Sequence, residues 1–209
     1  MIKRKLYSKL IDHLEQKEMS IIVGPRQAGK PTLMELLKAH LDKSGERTLL
    51  LNLDVEWDRP HFESQAALLR KIELELGKRR GYVFIDEIQR KENAGLFLKG
   101  LFDLHLPYKF ILSGSGSLEL KQNIDESMVG RKRLFELSTV SFEEFVGYRT
   151  GDRYESKLLD FLEIEKERTM LLLMEYLQYG GYPRIVMATE HREKLQLMDE
   201  IYRSVLEKD

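Results

Sequence analysis

The chain has 209 residues, with 34 lysines and arginines against 35 aspartates and glutamates, so its net charge is only −1. That length suffices for one substantial α/β domain with a small helical appendage, and the balanced charge excludes an overall field that would attract nucleic acid or an anionic membrane. The lack of cysteine excludes disulfides and thiolate chemistry, and no apolar run approaches the roughly 20 residues of a membrane span. We therefore expect a cytoplasmic protein with no membrane partner.

The first part of the sequence predicts a helix, a buried strand and a second helix. Apolar residues recur at helical spacing from Leu6 to Leu14. The β-branched run Ser20–Val23 stops at a Gly-Pro pair, which is typical of a buried strand that ends in a turn. A second helical pattern covers Thr32–His40. Strand, loop and helix in this order are the context in which a phosphate-binding loop forms.

The loop between this strand and this helix carries the strongest chemical signal in the sequence. Glycines at both ends of a four-residue gap let the backbone curl so that successive N–H groups face a polyphosphate, and the lysine that follows reaches the phosphates. The positive end of the next helix adds to the attraction. We expect the nucleotide to be bound by nine consecutive residues: Gly24, Pro25, Arg26, Gln27, Ala28, Gly29, Lys30, Pro31 and Thr32.

Pro31 interrupts this motif at the position that ordinarily supplies a metal ligand. Serine or threonine there binds Mg²⁺ through its hydroxyl, whereas proline has neither a hydroxyl nor a backbone N–H. Thr32 carries a hydroxyl, but successive helical residues point about 100° apart, so Thr32 becomes the ligand only if the register shifts. Proline is tolerated in the first turn of a helix. We therefore expect an intact fold with weakened binding of ATP and Mg²⁺.

The middle of the chain alternates strands with helices. Apolar patterns predict helices at Ala66–Leu76 and Leu96–Leu104. Short apolar runs predict four further strands: Arg47–Leu53, Tyr82–Ile85, Lys109–Leu112 and Arg133–Leu137. This alternation predicts a mostly parallel sheet that is covered by helices on both faces.

Two acidic residues, Asp86 and Glu87, directly follow the third predicted strand. The carboxyl end of a central parallel strand faces the crevice where ligands bind, so we expect Asp86 to hold Mg²⁺. Glu87 is suited to orient and deprotonate a water molecule, which favours hydrolysis over transfer to a second substrate. The alternative is that Asp86 and Glu87 only form an acidic turn in contact with solvent and have no role in binding or catalysis.

Ser113 and Arg131 are catalytic candidates on weaker signals. Ser113 follows the fourth predicted strand, where its hydroxyl either reaches the γ-phosphate and the attacking water or simply caps the strand. Arg131 begins the basic run Arg131–Arg133. It offers a cation to a phosphate of its own or of a neighbouring subunit, or belongs to a solvated charged surface. The neighbouring-subunit role would require a homo-oligomer.

The sequence changes to a helical pattern from Phe142 onward. Helical segments are predicted at Phe142–Tyr148, Glu155–Leu177 and Arg192–Leu206, with a strong breaker at Gly180–Pro183 between the last two. We therefore divide the chain into an α/β core, residues 1–140, and a helical lid or linker, residues 141–209.

Taken in order, these segments resemble one family of archaeal and bacterial AAA+ P-loop ATPases, whose loop reads Gly-Pro-Arg-Gln-x-Gly-Lys-Thr-Thr-Leu. The resemblance extends over most of the chain and is carried by the loop and by five later segments: Phe84–Gln89, Leu112–Ser115, Gly130–Arg131, Leu137–Phe145 and Gly180–Pro183. It implies an α/β P-loop fold with the strand order 5-1-4-3-2, ATP with Mg²⁺, and a sensor role for Ser113.

Members of that family usually continue into a further C-terminal domain. The resemblance therefore implies that this chain is truncated, and that a DNA or protein partner would be bound through the missing domain. The first functional hypothesis is that the chain is an ATPase that hydrolyses ATP to ADP and phosphate, at a rate that Pro31 lowers. The alternative is a non-catalytic, nucleotide-responsive or DNA-associated regulatory module. Measurable phosphate release separates the two hypotheses.

Overall fold

Five parallel strands form the sheet of residues 6–137. The computed structural model describes residues 1–115 and 127–206. The strands are β1 Met19–Gly24, β2 Thr48–Asn52, β3 Gly81–Asp86, β4 Tyr108–Ser115 and β5 Lys132–Glu136. Their spatial order is β2-β3-β4-β1-β5, which confirms the predicted order 5-1-4-3-2 read from the opposite edge.

Both faces of the central strands are buried. Every residue of β1 and of β3 is buried, which explains why their sequences are mostly apolar and do not alternate between polar and apolar residues. Along β1, Ile21 contributes to one hydrophobic core and Ile22 to the other, because successive strand residues point to opposite faces. Four helices flank these strands in sequence: α1 Lys5–Asp12, α2 Lys30–Lys43, α3 Gln65–Leu76 and α4 Ala94–Asp103.

The fourth strand is longer than its apolar run predicts. It continues through Ser113 to Ser115, so Ser113 lies within the sheet and is fully buried. The polar residues of this extension pair with β1, where Ile22 is opposite Ser113. The sequence predicts that the segment from Ser113 to Gly116 stops this strand; Gly116 lies outside the described residues.

The second compact unit comprises residues 1–5 together with the chain from Ser138 onward. Its helices are α5 Phe142–Arg149, α6 Leu158–Ile164, α7 Lys166–Tyr179, α8 Pro183–Met187 and α9 His191–Leu206. The amino terminus joins this unit through Glu144, whose carboxylate accepts hydrogen bonds from Arg4 Nε at 3.1 Å and from the Lys5 backbone N–H at 2.7 Å. Sequence patterns do not reveal that association.

The helical segment predicted at Glu155–Leu177 is interrupted in the structure. Glu165, with φ −93° and ψ 52°, separates α6 from α7. The break allows Phe161 of α6 to share a hydrophobic cluster with Leu172 and Tyr176 of α7.

None of the helices within the described ranges is long and apolar enough to cross a membrane.

Candidate functional site

The loop between β1 and α2 contains two glycines that the backbone requires for different reasons. Gly29 has φ 96°, a left-handed conformation that side chains disfavour. A Cβ on Gly24 would lie 2.1 Å from the carbonyl oxygen of Leu137. Gly24 is therefore needed where the chain leaving β5 passes close to β1, a tertiary reason that the loop motif does not reveal.

Lys30 is buried at the start of α2, with 5% of its surface exposed. Its Nζ donates hydrogen bonds to the carbonyl oxygens of Gly24 and Pro25, both at 2.9 Å. Burial lowers the pKa of Lys30, while the negative charges of Glu87 and Asp86 act in the opposite direction. Lys30 and the acidic pair are therefore electrostatically coupled.

Pro31 occupies the second position of α2 without interrupting the helix. The Leu33 N–H donates to the carbonyl oxygen of Gly29 at 3.0 Å. A residue at position 31 would have no such intrahelical partner for its N–H, so the missing donor costs the helix nothing. Pro31 and Thr32 are both exposed. The expectation that the fold accommodates Pro31 agrees with this geometry.

The other loop residues differ in exposure. Pro25, Arg26 and Gln27 are exposed, whereas Ala28 is buried. Gln27 has φ 60°, a left-handed conformation for a residue with a side chain. Positive φ at both Gln27 and Gly29 gives the chain between β1 and α2 the irregular, curled backbone that a phosphate-binding loop requires.

Asp86 ends β3 and is almost completely buried, with 6% exposure. Its Oδ1 accepts a hydrogen bond from the Ser113 hydroxyl and another from the Glu87 backbone N–H at 3.0 Å. Its Oδ2 lies 3.4 Å from the Asn52 side-chain nitrogen. Polar residues at or near the carboxyl ends of β2, β3 and β4 thus meet at one edge of the sheet, because these three strands are neighbours in it.

Glu87 follows in a strained backbone conformation, with φ 59° and ψ 41°. Its side chain accepts a hydrogen bond from the Gln89 amide nitrogen. The Gln89 side-chain oxygen Oε1 in turn accepts a hydrogen bond from the Ser115 backbone N–H at 3.0 Å. Gln89 therefore connects the acid after β3 to the end of β4.

Asn52 and Gln89 are site residues that sequence reasoning missed. Asn52 pairs in register with Asp86 on the neighbouring strand, and a polar residue that ends an apolar strand is the signal that could have revealed it. Gln89 lies two residues after Glu87, within the segment that carries the family resemblance, but nothing local indicates which group it contacts.

Arg131 is not brought to this edge of the sheet within the chain. It precedes β5, and its carbonyl oxygen accepts from the N–H of Met19, the first residue of β1. Its guanidinium forms an ion pair with Asp103, at 2.8 Å from Nε to Oδ1. Because all pairings of β1 and β5 are parallel, Arg131 lies at the amino edge, opposite Lys30 and Asp86.

The strand order and the lysine-bearing loop, which faces an acid at the end of β3, define an α/β domain of the P-loop type. The chain belongs to the AAA domain family, whose model matches residues 16–146. The match includes every site residue named above, and its ATPase-type class agrees with the arrangement of the loop and the acids.

Similar proteins are found in archaea and bacteria. An uncharacterized protein of Methanocaldococcus jannaschii, MJ1544, is 26% identical over the whole chain, which covers 45% of that protein. An uncharacterized protein of Haemophilus influenzae is 26% identical, again over the whole chain and 50% of its own length. The uncharacterized protein Rv2008c of Mycobacterium tuberculosis is 32% identical over 72% of the chain and 32% of its own length. The chain spans about half the length or less of these relatives.

Two solved structures share part of the architecture. AMPPCP-bound DnaA from Aquifex aeolicus aligns with a TM-score of 0.47 and 17% identity, over 95% of this chain and 59% of that one. Pif1 helicase from Candida albicans aligns with a TM-score of 0.45 and 13% identity, over 70% of this chain and 43% of that one. The family assignment rests on the matched family model and not on these distant likenesses.

Proposed function

We propose that this domain binds ATP with Mg²⁺ between the loop of residues 24–32 and the acidic pair, and hydrolyses it slowly to ADP and phosphate. The observation that carries the proposal is that buried Lys30, at the start of the helix that follows β1, and buried Asp86, at the end of β3, lie at the carboxyl edge of the same parallel sheet, with Glu87 next in the chain. A buried cation beside two acids suits a ligand that is itself a complex of anionic phosphates with a metal cation.

Lys30 and the loop would hold the phosphates. Two N–H groups of Lys30 donate to loop carbonyls, and an ammonium group has a third donor for a phosphate oxygen. The first backbone N–H groups of α2, which begins after the left-handed Gly29, would add hydrogen bonds to the phosphates. Arg26, exposed on the loop, would add a flexible contact to the outer phosphates.

Asp86 fits the role of magnesium ligand. Mg²⁺ is usually held by one or two carboxylates together with phosphate oxygens and water, so a single carboxylate suffices. Hydrogen bonds from Ser113 and the Glu87 N–H fix the Asp86 carboxylate. The bound metal would neutralise charge on the phosphates. Exposed Thr32 would contribute its hydroxyl only after a local change in the register of α2.

Glu87 would orient the attacking water and accept its proton. The hydrogen bond from Gln89 restrains the Glu87 side chain, and restraint of the base is the kind of positioning that hydrolysis requires. Ser113 would sense the γ-phosphate through its contact with Asp86. Pro31 would slow the reaction, because the site lacks the N–H and hydroxyl of the ordinary residue.

Calorimetric titration with ATP and Mg²⁺, followed by a phosphate-release assay, tests this proposal. We expect Glu87→Gln to retain ATP affinity and to lose hydrolysis by about 100-fold or more. Glu75→Gln is the matched control, since Glu75 is an exposed acid on α3 that is paired with Lys71; it should hydrolyse ATP at the unchanged rate. Wild-type protein that fails to bind ATP would refute the proposal.

Pro31 also favours a second candidate function, a nucleotide-responsive module that binds ATP without turnover. Loss of a metal ligand reduces transition-state stabilisation more than simple binding when the metal is needed chiefly for chemistry. ATP binding without phosphate release, in the wild type as well as in Glu87→Gln, would select this candidate over the first.

Two kinds of partner besides ATP are proposed: a neighbouring copy of this chain, and DNA or another protein. Within this chain, Arg131 would reach a bound nucleotide only in a neighbouring copy, because it lies at the opposite sheet edge from Lys30 and is paired with Asp103. A DNA or protein partner would be bound through the part of the longer relatives that this chain does not match.

A further inference from the structure

The C-terminal unit contains a polar pocket of about 430 Å³ that the proposed function does not use. Arg149 ends α5, Glu175 lies in α7, and Lys194 lies in the first turn of α9. The pocket is lined by six polar side chains: Arg149, Glu175, Tyr179, Thr189, His191 and Lys194. All of these residues belong to one compact unit.

Two cations in this pocket share a single acceptor atom. Arg149 Nη2 donates to Glu175 Oε1, and Lys194 Nζ donates to the same oxygen at 2.6 Å. The ion pairs of Arg149 and Lys194 within the described ranges both involve Glu175. One carboxylate therefore balances two cations, and one positive charge is left over.

This excess charge is unusual because the cations are largely withdrawn from water. The Lys194 side chain is 7% exposed and that of Arg149 is 21% exposed. Burial raises the pKa of Glu175, but hydrogen bonds and charges from Lys194 and Arg149 outweigh burial and hold that pKa below its ordinary value. Glu175 thus stays ionised, and the pocket retains a net positive charge at neutral pH.

The pocket also offers hydrogen-bond donors that the network does not use. Arg149 Nε is buried and has no hydrogen-bond partner among the described residues, and the Arg149 guanidinium carbon lies 5.4 Å from the centre of the Phe145 ring. The Arg149 guanidinium is thus only partly satisfied by Glu175, although a buried donor without a partner is costly. Lys194 Nζ lies 4.6 Å from the centre of the Tyr179 ring, and the Tyr179 hydroxyl contacts His191 Nδ1. Thr189 adds a hydroxyl to the lining.

We propose that this pocket binds a phosphate group, free or carried by a larger molecule, through Arg149 and Lys194. A phosphate would neutralise the surplus charge and accept hydrogen bonds from both cations, and guanidinium and ammonium groups are the usual ligands of phosphate oxygens. A purely structural ion network would be expected to balance its buried charges. The residues that line the pocket and those of the phosphate loop belong to different compact units.

Titration calorimetry with inorganic phosphate at constant ionic strength tests the site. The experiment uses a Lys30→Met background, which silences the phosphate loop. We expect saturable binding in that background and a loss of at least about tenfold in affinity when Lys194→Met is added. Arg184→Met is the matched control, because Arg184 is an exposed cation of the same unit that is paired with Glu200; it should leave the affinity unchanged.

Glu175→Gln provides a second test that does not depend on removing a cation. Without the competing carboxylate, both cations become available, so phosphate affinity should rise by about threefold to tenfold. If Glu175 and its partners were only structural, the same substitution would leave phosphate binding absent or weaker. Lys194→Arg keeps the charge and should retain binding, which separates loss of the site from loss of folding if Lys194→Met proves unstable.

Adenosine monophosphate in place of phosphate distinguishes the source of the group. Equal affinities would show that the pocket recognises the phosphate alone, and tighter binding of the nucleotide would show that the group arrives on a larger molecule; both results support the site. Unsaturable heats in the Lys30→Met background, or equal affinity with and without Lys194→Met in folded protein, would overturn it.

Discussion

Two buried lysines lie at opposite edges of the same sheet, and only Lys30 belongs to the candidate nucleotide site. Lys30 is 5% exposed and follows β1 at the carboxyl edge, whereas Lys109 is 7% exposed and lies near the amino end of β4. Burial lowers the pKa of both, to about 8 for Lys109. By burial and pKa direction alone, the two side chains would be judged alike.

Their hydrogen bonds distinguish them. Lys109 Nζ donates to the carbonyl oxygens of Gln16 and Glu18, and it lies 3.2 Å from His13 Nδ1, so all three ammonium donors have partners. Lys30 Nζ has two hydrogen bonds within the described part of the chain. The comparison teaches that a spare donor and nearby acids, and not burial, distinguish the lysine that we propose for nucleotide binding from the one whose donors are all used within the fold.

The sharpest test of this comparison substitutes each lysine by methionine. We expect Lys30→Met to weaken ATP binding by about 100-fold, because it removes a charge-assisted contact to the phosphates. Lys109→Met should bind ATP as the wild type does, but its free energy of unfolding should fall by about 1–3 kcal/mol, since the Gln16 and Glu18 carbonyls lose their donor. Calorimetric titration and urea unfolding measure the two effects.

An equal loss of ATP affinity in Lys30→Met and Lys109→Met would break the comparison. It would mean that the fold, and not the spare donor, determines binding. The urea midpoints decide whether either variant is folded at the titration temperature.

A smaller effect is expected when the residue next to Lys30 is restored. Pro31→Thr should tighten binding of ATP with Mg²⁺ by about tenfold, because it returns a backbone N–H and a hydroxyl to the site. Pro31→Ala returns the N–H alone and should recover only part of that gain. Titrations with and without Mg²⁺ separate the contributions of the two groups.

Pro107→Thr is the control for this series, since Pro107 is exposed and lies just before β4 at the amino edge. It should leave ATP affinity unaltered. If Pro31→Thr does not raise the affinity for ATP with Mg²⁺, Pro31 does not weaken binding. The spare donor on Lys30 would then be sufficient for the wild-type affinity.

The smallest expected effect is the contribution of Lys109 to the pH dependence of the free energy of unfolding. Burial lowers the pKa of Lys109 from 10.5 to about 8, so between these values the unfolded chain binds more protons than the folded chain, and stability rises with pH. We expect Lys109 to add about 1 kcal/mol to the free energy of unfolding between pH 8 and pH 9. Urea unfolding of wild type and Lys109→Met at both pH values isolates this contribution.

Measurements for this prediction stay below pH 10. Burial raises the pKa of Tyr82 and Tyr108, so above pH 10 the unfolded chain loses those protons first and stability falls again. A difference between wild type and Lys109→Met that does not change from pH 8 to pH 9 would contradict the lowered pKa of Lys109.

Local patterns were sufficient to identify the parts of the candidate site. The β-branched run Ser20–Val23 with its Gly-Pro stop predicted β1, and the acids after Tyr82–Ile85 were assigned to the carboxyl end of a central strand, which is where β3 places them. Both inferences succeed because a strand that is buried on both faces is mostly apolar, and because the residues at the carboxyl ends of parallel strands face the crevice where ligands bind. The strand order came from the family resemblance and was confirmed.

What the sequence by itself determined is therefore the lysine-bearing loop, the acidic pair and the class of fold, since backbone curling and strand burial depend on neighbouring residues. Only the tertiary structure decided that Asn52 and Gln89 contact the acids and that Arg131 lies at the amino edge of the sheet. It also decided that all three ammonium donors of Lys109 have partners, whereas Lys30 has two hydrogen bonds within the described part of the chain. Most of these arrangements join residues far apart in the chain, and the Gln89–Glu87 contact, although local, depends on side-chain direction; sheet register and side-chain direction are not encoded by any local pattern.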